Sequence, residues 1–192
     1  MEGVNKMKDY ILKIKQEENF PFNWVNLSPE SGINAQSHKI EIYPRNQKAN
    51  VSNMKSLFHD LFNTIINELS IFSLSWWDYC LDTWDIQENT YCYSPQYLSK
   101  ETANYLIMLQ KSDIVQGYSG SCICNDWDAY LSIALDCLIK GIAPYGHLIY
   151  DFNKQFFFYF HYTGSIGLYY KEGNPFITNL IKNNIKYDID IV

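Results

Sequence analysis

The chain has 192 residues and a formal net charge of -6, with 19% charged and 17% aromatic residues. So few charges with so many aromatic side chains predict a folded chain and exclude a disordered one, and the length fits one domain with its own core. The negative charge and the single arginine, Arg45, argue against nucleic acid as a partner and favour a basic protein, because phosphate binding needs clustered lysine and arginine.

The N-terminal part of the chain predicts two helices and a strand. Apolar residues between Asn5 and Glu18 fall on one side of a short peripheral helix. The segment His38–Tyr43 alternates apolar with polar residues, which predicts a strand ended by Pro44. The clearest amphipathic pattern runs from Met54 to Leu69 and predicts a core helix capped by Ser52.

The middle of the chain combines an irregular segment with a helix. Between Ser73 and Tyr93, tryptophan and tyrosine residues are interleaved with acids, which predicts short strands or an irregular loop. Ser99 begins the next predicted helix, which runs through Gln110 with its apolar residues in one line.

A central helix from Asp126 to Lys140 has the clearest start and stop signals. Asn125 or Asp126 can cap its first turn, and apolar residues recur along it at steps of three and four. Lys140 followed by Gly141 is a typical helix end, because glycine readily adopts the positive φ that closes a helix.

Three strands are predicted after this helix. The segments Leu148–Phe152, Gln155–Tyr162 and Ser165–Tyr170 follow one another through tight turns, which predicts an antiparallel meander. The run Phe156–Phe160 does not alternate with polar residues, so both faces of the middle strand should be covered.

A helix from Pro175 to Lys182 and a strand from Tyr187 to Val192 are the last predicted elements. The sequence contains no internal repeat, low-complexity tract or linker. We therefore predict a single α+β domain over residues 1–192, in which an antiparallel β-meander packs against amphipathic helices.

The five cysteines, at positions 80, 92, 122, 124 and 137, show no CxxC spacing. The start of the sequence lacks the basic and apolar regions of a secretory signal, and no apolar run is long enough to span a bilayer. We therefore expect a cytoplasmic protein with free thiols. His147, His161 and Asp151 lack the paired spacing of metal ligands, so we expect neither a metal nor a cofactor.

One enzymatic hypothesis uses a cysteine. Cys122 or Cys124 precedes the central helix, whose dipole would lower a thiol pKa, and His147 or His161 on a following strand would act as the base. This is the arrangement of a papain-like cysteine hydrolase. Because no Gly-x-Cys-Trp signature and no third orienting residue is found, structural cysteines are the favoured interpretation.

Acidic and aromatic residues concentrate between Trp76 and Glu88. Asp78, Asp82 and Asp85 are candidates for a carbohydrate platform or for the paired carboxylates of a hydrolase cleft. As an interaction surface, the same segment supplies aromatic side chains that dominate many interfaces, together with acids that attract a basic partner. Aromatic residues in the core with acids in water are an equally consistent interpretation.

A resemblance favours the interaction surface. The segments Cys124-Asn-Asp-Trp-Asp-Ala-Tyr-Leu131, Ala143-Pro-Tyr145 and Phe156–Tyr170, with its Phe-His-Tyr-Thr-Gly-Ser-Ile-Gly core, resemble bacterial immunity proteins encoded beside polymorphic or contact-dependent growth-inhibition toxins. The resemblance implies a small, cytoplasmic, often acidic α+β protein that neutralises a cognate toxin domain by occluding its active site or a nearby surface. It transfers no catalytic residue, since such proteins have none.

The resemblance and the charge together predict a toxin inhibitor, not an enzyme, whose partner is a basic toxin domain such as a nuclease. The predicted partner contacts combine acidic and indole side chains of the middle segment with acids at the start of the central helix. They are Trp76, Asp78, Asp82, Trp84, Asp85, Asp126 and Asp128.

Overall fold

The computed structural model describes residues 10–28, 32–45 and 48–192, which contain four α-helices and twelve strands. The strands are β1 (Leu12–Ile14), β2 (Val25–Ser28), β3 (Gly32–Ala35), β4 (His38–Pro44), β5 (Ser70–Ser73), β6 (Trp84–Asp85), β7 (Thr90–Tyr91), β8 (Gly120–Cys124), β9 (Leu148–Asp151), β10 (Phe156–Phe160), β11 (Ile166–Tyr170) and β12 (Tyr187–Ile191). The α-helices are α1 (Val51–Phe62), α2 (Lys100–Lys111), α3 (Trp127–Ile139) and α4 (Pro175–Asn183). Short 3-10 helices cover Asn63–Glu68, Leu81–Thr83 and Pro95–Tyr97.

Eight of the strands form one antiparallel sheet in the order β1-β8-β5-β9-β10-β11-β4-β12. Two further pairs, β2–β3 and β6–β7, form separate antiparallel hairpins. The fold class is therefore α+β, as predicted. The predicted meander is confirmed as well, because β10 pairs with β9 on one side and with β11 on the other.

Helices α1, α2 and α3 lie on one face of the sheet and enclose the main core. Phe62 of α1 stacks on Phe158 of β10 with 4.2 Å between ring centroids, and Trp127 of α3 lies 4.9 Å from Phe58 of α1. All four side chains are buried. Because burial of each large apolar side chain contributes about 1.5–3 kcal/mol, this layer is the main source of stability.

A second aromatic cluster covers part of the opposite face. Phe157 of β10 lies 5.7 Å from the ring of Trp24 and stacks on Tyr169 of β11 at 4.8 Å. Phe22 packs on Trp24 at 4.9 Å, just before the β2–β3 hairpin. The middle strand is therefore covered on both faces, by α1 at Phe158 and by the second cluster at Phe157, as the unbroken aromatic run predicts.

The predicted helix over Asn5–Glu18 is wrong in its described part. Residues 12–14 form β1, which pairs with β8 through Leu12 opposite Cys124, while residues 5–9 lie outside the described residues. The alternation of Leu12 and Ile14 with lysines fits one buried and one polar strand face. Burial of Leu12 in the shared core outweighs the weak preference of a short, charged helix.

Helix α1 begins earlier and ends earlier than its periodicity predicts. Its cap is Asn50, not the predicted Ser52, because the Asn50 side chain accepts a hydrogen bond from the N–H of Asn53 at 2.9 Å. After Phe62 the chain tightens into the 3-10 helix that reaches Glu68. The apolar spacing continues through this change of helix type and so conceals it.

The predicted starts of α2 and α3 are confirmed. The Ser99 side chain accepts from the N–H of Thr102 at 3.1 Å, and the Asp126 side chain accepts from the N–H of Ala129 at 2.9 Å. Gly141, with φ of +70°, follows the end of α3. None of the helices in the described parts of the chain has the length and apolar character needed to cross a membrane.

Candidate functional site

The acidic and aromatic segment after β5 divides into a buried part and an exposed part, and Trp76 belongs to the buried part. Its side chain is fully buried, and its indole N–H donates to the carbonyl of Gly120 at 3.0 Å. The indole also stacks on His147 with 4.9 Å between ring centroids. The predicted partner contact at Trp76 is therefore corrected: this indole is a core side chain.

Asp78 and Asp82 bond within the protein. Asp78 accepts hydrogen bonds from the hydroxyls of Ser75 and Tyr93, the latter at 2.5 Å. Burial and the bond to Asp78 raise the pKa of Tyr93 well above its ordinary value. Both carboxylate oxygens of Asp78 therefore accept internal donors, and its contact with a partner stays a prediction.

Asp82 fastens the same segment to the start of α2. Its carboxylate accepts from the backbone N–H of Ser99 at 2.8 Å and from the hydroxyl of Thr102 at 2.5 Å. The carboxylate therefore stabilises the first turn of α2, where negative charge is favourable. Asp82 thus has a structural role in the fold, and the predicted partner contact and catalytic carboxylate at this residue stay predictions.

The exposed part is the β6–β7 hairpin with its connecting turn. Trp84 is 39% exposed and Tyr91 is 46% exposed, and their rings meet edge to face at 4.9 Å. Ile86 in the turn is 84% exposed. We call the side chains of Trp84, Asp85, Ile86, Glu88 and Tyr91 the hairpin surface.

The base of the hairpin is fixed by hydrogen bonds. The N–H of Cys92 donates to the carbonyl of Thr83 at 2.7 Å, and the buried Thr83 hydroxyl donates to the carbonyl of Cys80 at 2.6 Å. The N–H of Leu81 donates to the carbonyl of Ile142, just beyond α3, at 2.8 Å. The hairpin surface therefore projects from a rigid support.

Asp85 organises the turn of the hairpin. Its Oδ1 atom accepts from the backbone N–H groups of Gln87 at 2.9 Å and of Glu88 at 3.2 Å. Asn89 then adopts a positive φ of +49°, which asparagine tolerates better than most residues. The sequence analysis missed the contribution of Ile86, Glu88 and Tyr91, although the turn-forming residues between Trp84 and Tyr91 are a recognisable hairpin signal.

The other two predicted contacts lie elsewhere. Asp126 caps α3, and the exposed Asp128 accepts a hydrogen bond from Lys55 of α1 at 2.7 Å, which lowers the pKa of Asp128. The hairpin is joined to the opposite end of α3 through Ile142. Since a helix of this length spans about 20 Å, the predicted contacts do not form one surface.

The predicted cysteine nucleophiles lie in a strand of the sheet and not at a helix start. Cys122 and Cys124 belong to β8, and both side chains are buried. Burial raises the pKa of the Cys122 thiol to about 12 and also raises the pKa of Cys124 well above its ordinary value. A reactive thiolate needs the opposite shift.

The predicted base, His147, is buried, and both of its ring nitrogens are occupied by tyrosines. Nδ1 lies 2.8 Å from the hydroxyl of Tyr130, and Nε2 lies 3.0 Å from the hydroxyl of Tyr105. Tyr105 donates to the carbonyl of Trp76, so it accepts from Nε2–H and leaves Nδ1 to accept from Tyr130. Burial lowers the pKa of His147 to about 3. The predicted thiol–imidazole pair is therefore not formed.

His161 belongs to a polar cluster that the sequence analysis missed. Its Nε2 atom lies 3.1 Å from a carboxylate oxygen of Glu41, without the N–H direction of a hydrogen bond. The same oxygen accepts from the Ser165 hydroxyl at 3.1 Å, and Lys39 lies 3.4 Å from the other oxygen. In a hydrolytic triad the imidazole accepts the serine proton, whereas here the carboxylate does. No sequence motif signals this cluster, because Glu41 of β4 and His161, which follows β10, are far apart in the sequence.

The described residues contain no group of three or more side chains arranged to hold a metal ion. Asp151, considered above as a ligand, is buried and pairs with Lys154 at 3.2 Å. Comparison with protein-family models, with curated proteins and with solved structures gives no match for this chain.

Proposed function

We propose that this protein is an immunity protein, which binds a basic toxin domain and neutralises it by covering the active site or a surface nearby. The observation that carries the proposal is the exposed Trp84–Tyr91 pair of the hairpin surface. Tryptophan and tyrosine are among the side chains that most often dominate the energy of a protein interface.

The hairpin surface is organised before any partner binds. Trp84 and Tyr91 hold each other edge to face, and Asp85 fixes the turn between them. Association costs free energy when flexible side chains and loops become ordered. Since this ordering is already present, more of the contact energy of the two aromatic rings is available for binding.

The charge around the hairpin favours a basic partner. The hairpin surface carries the acids Asp85 and Glu88, and no lysine or arginine occurs in the sequence between Lys55 and Lys100. Exposed acids at the border of an aromatic contact accelerate association with a positively charged protein and raise its salt sensitivity.

The proposal places the protein in the cytoplasm. All five cysteines are free thiols, which is typical of a reducing compartment. A toxin that enters or is made in the same cell would then meet its inhibitor there.

The test uses the toxin domain encoded by the reading frame beside the gene for this protein. Co-expression should restore growth of cells that produce the domain, and the purified proteins should form a stoichiometric complex in calorimetry. The complex should weaken between about 0.05 M and about 0.5 M salt, because surface charges are screened at the higher concentration.

A domain with toxic activity that forms no complex at the lower salt concentration would overturn the proposal. The variant Trp84→Ala should lose binding while retaining the folded-state circular dichroism spectrum. A matched control is Tyr162→Ala, which removes an exposed aromatic side chain outside the hairpin surface.

A further inference from the structure

Strand β12 forms one edge of the eight-stranded sheet, and no strand of the described residues pairs with its outer side. It runs from Tyr187 to Ile191 without proline, glycine or lysine. At the other edge, β1 is three residues long and has Lys13 at its centre. Short length and lysine are common ways of blocking an edge strand, and β12 uses neither.

The pairing of β12 with β4 determines which backbone groups point outward. The N–H of Val192 donates to the carbonyl of Lys39 at 3.1 Å, and Asp190, two residues earlier, occupies the equivalent hydrogen-bonded position. Ile189 and Ile191 occupy the alternate positions. Their N–H and C=O groups therefore point to the open edge.

The remaining outward-facing residue, Tyr187, already has its partner. The side-chain oxygen of Asn184 accepts from the N–H of Tyr187 at 3.1 Å, and the side-chain nitrogen donates to the Tyr187 carbonyl at 2.7 Å. One amide thus makes both bonds that a neighbouring strand would make. Among the described residues, no such partner meets the outward groups of Ile189 or Ile191.

The side chains of β12 determine the chemistry of a strand that would pair there. Ile189 and Ile191 lie on the helix-covered side of the sheet, and Ile191 is 83% exposed. Asp188 and Asp190 point to the opposite face, because neighbouring residues of a strand alternate. A complementary strand would therefore be apolar on one side and basic on the other.

Asp190 is the residue of β12 that most favours a cationic side chain on an added strand. In the register of the sheet it lies opposite Glu41 of β4, and like charges at directly opposite positions repel. Lys39, 3.4 Å from the Glu41 carboxylate, offsets part of this charge but forms no ion pair with Asp190. Asp188 pairs with Arg45 at 2.7 Å, whereas Asp190 has no ion-pair partner among the described residues. A lysine or arginine on the far side of Asp190 would relieve this repulsion.

The same charges disfavour a second copy of the chain. In the two antiparallel registers that overlap most, Asp190 of one copy lies opposite either Asp190 or Asp188 of the other. Both registers place carboxylates directly opposite each other, and of these acids only Asp188 has a cation beside it in the described parts of the chain, Arg45 at 2.7 Å. The edge is thus open to pairing in general and unfavourable for pairing with itself.

We propose that the open edge of β12 binds an extended segment of a partner protein, in which lysine or arginine alternates with apolar residues. The segment adds a ninth strand to the sheet through the N–H and C=O groups of Ile189 and Ile191. Strand β12 is not part of the hairpin surface, so the inference goes beyond the proposed function and does not depend on it.

The first experiment uses a short capped peptide in which lysine alternates with valine, and the same peptide with glutamate in place of lysine. At a lysine-peptide concentration about ten times Kd, the amide hydrogens of Ile189 and Ile191 should exchange about tenfold more slowly. The amides of Asp188 and Asp190 already face β4 and are protected before the peptide is added, so the isoleucine amides are the direct readout of binding. Unchanged exchange at the isoleucines, or equal protection by the glutamate peptide, would overturn the proposal.

Two substitutions test the two parts of the recognition. Asp190→Lys should weaken binding of the lysine peptide by about threefold or more and strengthen binding of the glutamate peptide. Glu88→Lys changes the net charge equally at the hairpin surface and should leave peptide binding unchanged. Ile189→Pro removes one outward N–H at a position where an edge strand tolerates proline, and it should reduce binding relative to Ile189→Val.

The readouts separate this inference from the proposed function. If the parent protein binds the lysine peptide but no toxin domain, the proposed function fails and the edge site stands. If it binds the toxin domain but not the lysine peptide, the edge site fails and the proposed function stands. Protection of Ile189 and Ile191 without peptide, together with a dimer in ultracentrifugation, would show self-pairing and overturn the proposed partner class.

Discussion

Tyr130 donates its hydroxyl proton to Nδ1 of His147 across 2.8 Å, at a site where both side chains are buried. The variant Tyr130→Phe keeps the ring and leaves Nδ1 without a donor. We expect a loss of about 1–3 kcal/mol in the free energy of unfolding, because a buried acceptor then lacks its hydrogen bond. Urea denaturation measures this loss, and the exposed Tyr162→Phe is the matched control, expected to stay within about 0.5 kcal/mol of the parent.

Burial of His147 also predicts a pH dependence of stability. Because burial lowers the pKa of His147 to about 3 in the folded state, the unfolded chain binds a proton that the folded chain does not. Stability from this residue is complete above the ordinary histidine pKa of about 6.5 and falls by about 1.4 kcal/mol per pH unit below it, down to the folded-state value. Denaturation curves between neutral pH and about pH 4 should show this slope in the parent and lack its histidine component in His147→Gln. Equal slopes in both proteins would contradict the assignment.

The buried thiols predict slow chemical modification. Cys122 and Cys124 have pKa values raised by burial, so both are protonated in the folded protein at neutral pH. We expect Cys92, the one cysteine that is not buried, to react first with an alkylating reagent. Mass spectrometry of timed samples checks the order, with denatured protein as the reference for full reactivity. Rapid modification of Cys122 or Cys124 in the folded state would instead support the cysteine hydrolase.

The proposed function predicts that substitutions in the hairpin surface weaken binding of the toxin domain. Trp84→Ala should lower the affinity for the toxin domain by about 2 kcal/mol or more, which is roughly thirtyfold, as for a central aromatic contact. Asp85→Ala should also weaken binding, because it removes both a charge and the acceptor that fixes the turn. Calorimetry measures both affinities. An unchanged affinity in Trp84→Ala, with the complex intact, would move the interface away from the hairpin.

Sequence patterns were sufficient for the parts of the fold that depend on local chemistry. The start and end of α3 follow from Asp126 and Gly141, and the β9-β10-β11 meander follows from short turns between aromatic strands. The helix predicted for the N-terminal segment was wrong because this segment depends on a long-range contact. Leu12 gains its burial from β8, which lies more than a hundred residues further along the chain, and no local pattern carries that information.

The candidate site was harder to predict, because residue type does not reveal the direction of a side chain. Trp76 and Trp84 are both tryptophans in an acidic segment, but the first stacks on His147 in the core and the second projects from a hairpin. Asp82 and Asp85 differ in the same way. Asp82 accepts a hydrogen bond from the backbone at the start of α2, whereas Asp85 fixes an exposed turn. Only long-range contacts separate the members of each pair.

The amide of Asn184 has a consequence for any strand that joins the sheet at β12. Because it already fills both bonding positions at Tyr187, an added strand has to stop before that residue. The Asn184 side chain would therefore limit how far an added strand extends along β12. It would fix the register in which the partner's residues lie opposite Asp190. Replacing Asn184 by alanine would free that position and let the partner slide by two residues.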